Sequence, residues 1–180
     1  MSILKKAKQK HRLIAGLASL ALSLCLLSIL ALCVFAVIQV DGISGMEPVI
    51  RDRDYVFINR FELFPSAGKI AYISQGKEKP AVLRRVVATG GQTVEINYNE
   101  NTIYIDGVPF DDPYKTELML PAGDIHYPFT VPQHEYFVLG DNRNGAIDSR
   151  FSYFGTVKQE QIIGAAVFRL YPYGDIAWLS

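Results

Sequence analysis

Cysteine is scarce in this chain, and it is confined to one segment. The two cysteines, Cys25 and Cys33, both lie in a long apolar run near the amino terminus. The rest of the chain therefore has neither a disulfide framework nor a thiolate metal site. On a helix the two positions lie ~12 Å apart, too far for a disulfide within one chain. We interpret both cysteines as small apolar side chains of a helix.

Acidic residues are missing from the amino-terminal part of the chain. All 18 Asp and Glu residues lie after residue 40, whereas five of the 18 Lys and Arg residues lie before residue 13. The remainder carries 13 basic against 18 acidic side chains. This negative balance repels phosphate backbones, which argues against nucleic acid as a partner.

Charge of either sign is absent from residues 13–38, a run of 26 residues. A helix needs only ~20 apolar residues to cross ~30 Å of hydrocarbon. We predict a single-pass anchor in the cell membrane over 13–39, a cytoplasmic basic tail over 1–12 and an extracytoplasmic domain over 40–180, because basic flanks stay in the cytoplasm. One alternative is a cleavable signal peptide, although its apolar core would span only ~7–15 residues. The other is a buried core helix.

Beyond the anchor the pattern is typical of strands, with short β-branched and aromatic runs separated by Gly, Pro and Asn. We predict an all-β domain of roughly 140 residues. Residues 106–134 are rich in Pro, Asp and aromatics, and we predict an inserted loop with little regular structure there. The predicted strands cover residues 55–58, 70–74, 82–88, 93–97, 102–105, 136–139 and 165–170.

An apolar cluster follows the first predicted strand and consists of Phe61, Leu63, Phe64 and Pro65. Single apolar residues at a protein surface are common, whereas a cluster calls for an explanation. Two interpretations remain open, namely contact with the membrane surface and ordinary packing in the core.

Three stretches carry the most specific pattern of the chain. They are residues 41–48 (DGISGMEP), 84–88 (RRVVA) and 140–150 (GDNRNGAIDSR). In this order, and behind an amino-terminal anchor, they resemble the type I signal peptidase family of serine endopeptidases (S26-type), as found in Gram-positive bacteria. The resemblance covers nearly the whole chain. It implies a signal-peptidase-like β-domain, exported proteins as substrates, a Ser-Lys dyad, and neither cofactor nor metal.

The family's nucleophile is a serine in a Ser-Met-x-Pro segment, and here two alignments compete. Alignment on Met46 and Pro48 places Gly45 at the nucleophile position, which leaves no side chain to attack with. Alignment on the residues before them places Ser44 there and makes Gly45 an insertion. A shift of one residue turns a side chain of an extended segment to the opposite face, unless a bulge absorbs the extra residue.

The family's general base is a lysine in a Lys-Arg pair, and here that position holds Arg84, followed by Arg85. A lysine becomes a base when burial removes its proton, whereas a guanidinium keeps its proton in proteins. Arg84 therefore cannot act as the base. We expect Arg84 in the cleft, neutralised by Asp148 or else by Asp141, because an unpaired buried charge is costly.

The third stretch matches the family's Gly-Asp-Asn-x-x-x-Ser-x-Asp-Ser-Arg signature, with Ala146 where the family has a serine near the base. The resemblance implies that Asp148 and Arg150 form an ion pair that braces the loop. It also implies site-lining roles for Met46, Pro48, Arg85, Ala146 and Asp148. The structural positions of the signature are Gly140, Asp141, Asn142, Arg143, Ser149 and Arg150.

Changes at Gly45, Arg84 and Ala146 within a retained frame indicate a catalytically defective relative, because the loss of one member of a catalytic unit suffices. Such a protein would bind exported proteins and assist their assembly. It resembles the signal-peptidase-like accessory factors of Gram-positive pilus assembly, whose clients are pilin subunits. One alternative is an active signal peptidase with Ser44 as nucleophile and an unidentified base. Another is a structural membrane protein without a cleft.

A client would bind as an extended segment, because backbone pairing needs no catalytic side chain. The resemblance implies a cleft between residues 42–45 and the strand that ends near Leu83. Small apolar side chains of the client would alternate into pockets lined by Ile43 and Val82.

Overall fold

The amino-terminal part of the chain is one long helix. The computed structural model divides the chain into two compact units, Met1–Phe35 and Ala36–Ser180. The helix α1 (Ser2–Val34) makes up the first unit, and Gln9–Val34 is long and apolar enough to cross a membrane. The described residues are 2–40, 45–112, 117–170 and 176–179.

The helix ends earlier than hydropathy predicts. Residues 35–38 continue the uncharged run, yet the helix stops at Val34 and Phe35–Gln39 forms the strand β1. Ala36 and Ile38 pack against the domain's core, as alternate residues of a strand do. The helix therefore covers the predicted anchor over 13–39 only as far as Val34. Four or five consecutive apolar residues show no period that separates helix from strand.

The second unit is built on two β-sheets, which confirms the all-β prediction. Its further strands are β2 (Tyr55–Asn59), β3 (Ile70–Ile73), β4 (Val82–Thr89), β5 (Thr93–Asn97), β6 (Thr102–Ile105), β7 (Val108–Pro109), β8 (Phe129–Thr130), β9 (Glu135–Leu139), β10 (Val157–Lys158), β11 (Ile162–Arg169) and β12 (Ala177–Trp178). The larger sheet has the order β1-β2-β11-β3-β4-β9-β10, with β12 on β11. The smaller sheet has the order β7-β6-β5-β8. A 3-10 turn, Gln159–Gln161, precedes β11.

All strands predicted from the sequence are present, and the β5–β6 hairpin has the predicted bounds. The prediction missed β1 and the two-residue strands, which are too short to show a period. The predicted loop over 106–134 is irregular along most of its described length, although β7 and β8 add its two ends to the smaller sheet. Met119 from this loop is buried with Val94 and Ile103.

The apolar cluster after β2 is mostly exposed. The side chains of Phe61 and Phe64 are 70% and 76% exposed, and Leu63 is also exposed, whereas Pro65 is buried. Core packing therefore accounts for Pro65 alone. The three exposed residues are available for contact with another surface.

The segment 45–50 is anchored in the core next to β4. Met46 and Ile50 are fully buried in one cluster with Ile58, Ile70 and Leu83. Ile50 N donates to Met46 O at 2.9 Å, which closes a turn around Glu47 and Pro48. Close packing on both sides of this turn holds Gly45 in place relative to β4.

Candidate active site

The three altered motif positions meet in space. Gly45 has φ +68°, and a Cβ atom built on it would lie 3.0 Å from Ala146 Cβ and 3.4 Å from Arg84 Nη1. The sequence places these residues in separate stretches, and the fold brings Ala146 and the guanidinium of Arg84 next to Gly45. Ser44, the alternative nucleophile, lies outside the described residues, as does Ile43.

Arg84 lies on β4 with only 6% of its surface exposed. Its Nε donates to Ile147 O at 2.8 Å, and its Nη1 donates to Leu83 O at 2.6 Å. The guanidinium carbon lies 5.9 Å from the ring centroid of Phe154, within the range of a cation–π contact. Burial lowers the pKa of Arg84, and the nearby carboxylate of Asp148 partly opposes that shift. A guanidinium starts so far above neutral pH that Arg84 stays charged.

The two carboxylates expected to neutralise Arg84 are bound by other arginines. Asp148 accepts from Arg150 Nε and Nη2, both at 2.8 Å. Asp141 accepts from Arg85 Nε at 2.7 Å and from Arg85 Nη2 at 2.6 Å. Among the described residues no ion pair joins Arg84 to Asp148 or Asp141, so the expected direct neutralisation does not form, and Asp148 acts on Arg84 through its nearby charge. The described hydrogen bonds of Arg84 go to backbone carbonyls instead.

The stretch 140–150 is braced from within, and the implied ion pair between Asp148 and Arg150 is present and fully buried. Asp148 also accepts from Gly140 N at 3.0 Å, which ties the start of the stretch to its end. Ser149 Oγ donates to Gly155 O at 2.9 Å and accepts from Val138 N at 3.0 Å.

The same stretch is held against two neighbouring segments. Arg143 binds Asp112 in the loop before the stretch, with Nη2 and Oδ1 2.9 Å apart. Asn142 N donates to Gly45 O at 3.0 Å. The Asn142 contact fixes the stretch 140–150 against Gly45.

A groove of about 420 Å³ opens beside Arg84. Its walls include Val82, Arg84, Ile147, Tyr153, Phe154 and Thr156. The prediction named Val82 as a lining residue, whereas Tyr153 and Phe154 have no motif or period that marks them. Met46, predicted to line the site, is fully buried in the core below it, and Pro48 is exposed.

Among the described residues, β4 has an open edge at Leu83, on the side away from β3. Val86 N donates to Lys69 O at 2.8 Å, so the backbone polar groups of Val86 face the β3 side. These groups alternate sides along a strand, and those of Leu83 and Arg85 therefore face away from β3. On that side Arg85 pairs with Leu139, the last residue of β9. No strand of the described chain continues beyond it to pair with Leu83.

In the described part of the site, no lysine stands ready to replace Arg84 as the base. Lys69 forms an ion pair with Glu62. Lys79 lines the groove but is exposed at its rim. Ser-Lys hydrolysis requires a buried amine within hydrogen-bond reach of the hydroxyl. Among the described residues the base position is occupied by a group that cannot accept a proton.

This chain is similar to known signal peptidases along most of its length. The sequence pattern described as signal peptidase, peptidase S26, matches residues 13–171. The chain is 28% identical over 182 residues to signal peptidase I of Bacillus amyloliquefaciens, covering 96% of this chain and 95% of that protein. It is 29% identical over 148 residues to signal peptidase I T of Bacillus subtilis (strain 168), covering 76% and 74%. A solved signal peptidase I of Enterococcus faecalis V583 aligns with a TM-score of 0.47 and 31% identity, over 56% of this chain and 95% of that one.

An apolar helix long enough to cross a membrane precedes a β-domain in which the residues Gly45, Arg84 and Ala146 of the three motif stretches lie close together. The match over most of the chain makes the assignment specific: the chain belongs to the signal peptidase family, peptidase S26.

Proposed function

We propose that this protein binds extended segments of exported proteins in the groove beside β4 and assists their assembly without cleaving them. Pilin subunits are the proposed clients. The observation that carries the proposal is the pairing of Gly45 with a buried, carbonyl-bound Arg84 at the two dyad positions. Neither residue can perform its half of the reaction, since glycine has no nucleophile and a guanidinium does not accept a proton.

Peptide binding requires neither a nucleophile nor a base. An extended peptide pairs through its backbone, and on the side of β4 away from β3 Leu83 carries a backbone N–H and a C=O, the second of which also accepts from Arg84 Nη1. The side chain of Val82 lines the groove next to this edge. A protein that has lost the dyad can therefore keep the surface that holds a client.

A second candidate function is an active signal peptidase with Ser44 as nucleophile. The relatives that match along most of the chain carry the name signal peptidase I, and these names favour cleavage over an assembly role. This candidate requires a base other than Arg84.

The proposal includes an orientation with the amino terminus in the cytoplasm and the β-domain on the outer side. The basic residues before residue 13 support this topology through the positive-inside rule. The exposed Phe61, Leu63 and Phe64 are proposed to contact the lipid surface, since exposed Phe and Leu side chains can insert at the boundary between headgroups and acyl chains.

The deciding experiment measures cleavage of a preprotein by the full-length protein in membrane vesicles. We expect the preprotein to remain uncleaved, while signal peptidase I T of Bacillus subtilis in matched vesicles processes it. Cleavage that disappears in the Ser44→Ala variant would establish the second candidate. Cleavage that survives Ser44→Ala would exclude both the proposed function and Ser44 as nucleophile.

We expect Gly45→Ser combined with Arg84→Lys to restore little cleavage. A serine at position 45 must adopt φ near +68°, which costs non-glycine residues about 1–2 kcal/mol. Its Cβ would also press against Ala146 Cβ at 3.0 Å, a contact that lysine at position 84 does not relieve. A nucleophile displaced by ~1 Å can lose about 10²-fold in rate.

Processing of the same preprotein in vesicles measures this effect, with Arg84→Lys alone as the matched control. Cleavage by the double variant at the rate of an active relative would show that residue 45 fits the nucleophile position without adjustment.

A further inference from the structure

The side chain of Arg84 already donates a hydrogen bond to Leu83 O, the backbone atom with which a bound strand would pair. The carbonyl of Leu83 lies on the open edge of β4, where strand addition requires it to accept an N–H from the peptide. Arg84 Nη1 already donates to this oxygen at 2.6 Å. The side chain of Arg84 therefore caps the edge of its own strand.

The same guanidinium also reaches the opposite wall of the groove. Arg84 Nε donates to Ile147 O at 2.8 Å, and Ile147 belongs to the stretch 140–150. Phe154 packs near the guanidinium at 5.9 Å from its ring centroid. One side chain thus bridges β4 and the facing loop, across the path that an extended peptide would follow.

A peptide N–H is a weaker donor than a guanidinium, because hydrogen bonds from charged donors are shorter and stronger than neutral ones. A peptide that pairs with Leu83 must therefore either share the carbonyl with Arg84 or displace it. Displacement costs the hydrogen bond from Arg84 Nη1 to Leu83 O, so this contact reduces the affinity for the peptide.

We infer that Arg84 is a gate on strand addition, because a client segment that pairs with β4 must share or displace the hydrogen bond from Arg84 to Leu83 O. This inference rests on the proposed function of peptide binding in the groove. It gives the residue at the base position a role in regulating access, in place of the catalytic role that its chemistry excludes.

The test compares the full-length wild type with Arg84→Met in detergent. Methionine keeps much of the side-chain length but donates no hydrogen bond. The probes are short fluorescein-labelled peptides with alanine or valine at alternate positions, and fluorescence anisotropy measures their binding. We expect Arg84→Met to bind the peptide about tenfold more tightly. The substitution removes the hydrogen bond with which Arg84 competes for Leu83 O, and one net hydrogen bond corresponds to about this change in affinity. The matched control is Arg51→Met at an exposed arginine outside the groove, which we expect to bind like the wild type.

N-methylation of the probe separates gating from a general change in the groove. Methylation of the peptide nitrogen that pairs with Leu83 O removes the donor, and we expect it to weaken binding to Arg84→Met by about tenfold. The loss should be smaller in the wild type, where Arg84 competes for that oxygen. Thermal unfolding checks that each variant remains folded. If Arg84→Met does not fold, Arg84→Lys replaces it, because an ammonium cannot serve both carbonyls with the geometry of a fork.

The outcomes distinguish the gate from the proposed function. Equal affinity of the wild type and the folded variant, with equal sensitivity to N-methylation, would overturn the gate and leave peptide binding in place. Weaker binding by the variant would also overturn it. If neither protein bound the peptides, peptide binding in the groove would be excluded, and the gate with it.

Discussion

Replacing Asp148 by alanine is expected to lower the free energy of unfolding by about 3–5 kcal/mol, the usual cost of leaving one partner of a buried ion pair uncompensated. Asp148 and Arg150 are both fully buried. The carboxylate accepts from Arg150 Nε and Nη2 at 2.8 Å and from Gly140 N at 3.0 Å. Its removal would strand a charged guanidinium inside the domain and release both ends of the stretch 140–150.

Urea unfolding of the full-length protein in detergent measures this loss. Asp148→Asn should lie between alanine and the wild type, because an amide oxygen can still accept one of these hydrogen bonds. Asp111→Ala is the matched control at an exposed aspartate, and we expect it to change stability by less than about 0.5 kcal/mol. A change below about 1 kcal/mol for Asp148→Ala would mean that the pair contributes no more than a surface ion pair does.

Replacing Gly140 by alanine is expected to destabilise the domain by roughly 3 kcal/mol or more and to distort the site. A Cβ at this position would lie 2.2 Å from Ala146 Cβ and 2.4 Å from Gly45 O. Both obstacles are backbone atoms or atoms fixed directly to the backbone. They cannot rotate away, so the segment that carries Gly45 must move relative to the stretch 140–150.

A second substitution tests whether this contact is the cause. Ala146→Gly combined with Gly140→Ala removes the 2.2 Å contact but keeps the approach to Gly45 O. We therefore expect the double variant to recover part of the lost stability in the same urea experiment. No recovery would assign the loss to Gly45 O alone, and a fully stable Gly140→Ala would contradict the close approach of the two segments.

Arg84 illustrates where prediction from the sequence stops. Its inability to act as a base follows from the chemistry of guanidinium, whatever the fold. The identity of its hydrogen-bond partners, in contrast, does not follow from the chemistry of the side chain. Arg150 reaches Asp148 from two residues away, whereas Arg84 finds Ile147 O across 63 positions of chain. The competition between two arginines for one carboxylate depends on distances that only the folded chain sets.

The sequence by itself determined the apolar amino-terminal helix, the β-rich class of the domain and the identity of residues 45, 84 and 146, at which we place changes in the family pattern. Each of these depends on local composition, strand period or residue identity, which are properties of short stretches. The tertiary structure decided that residues 35–39 form a strand, that Ala146 and Arg84 lie next to Gly45, and that the backbone polar groups of Leu83 face away from β3. These features depend on how distant segments pack and on the side to which a strand turns its polar groups. Hydropathy and spacing along the chain carry no information about either property.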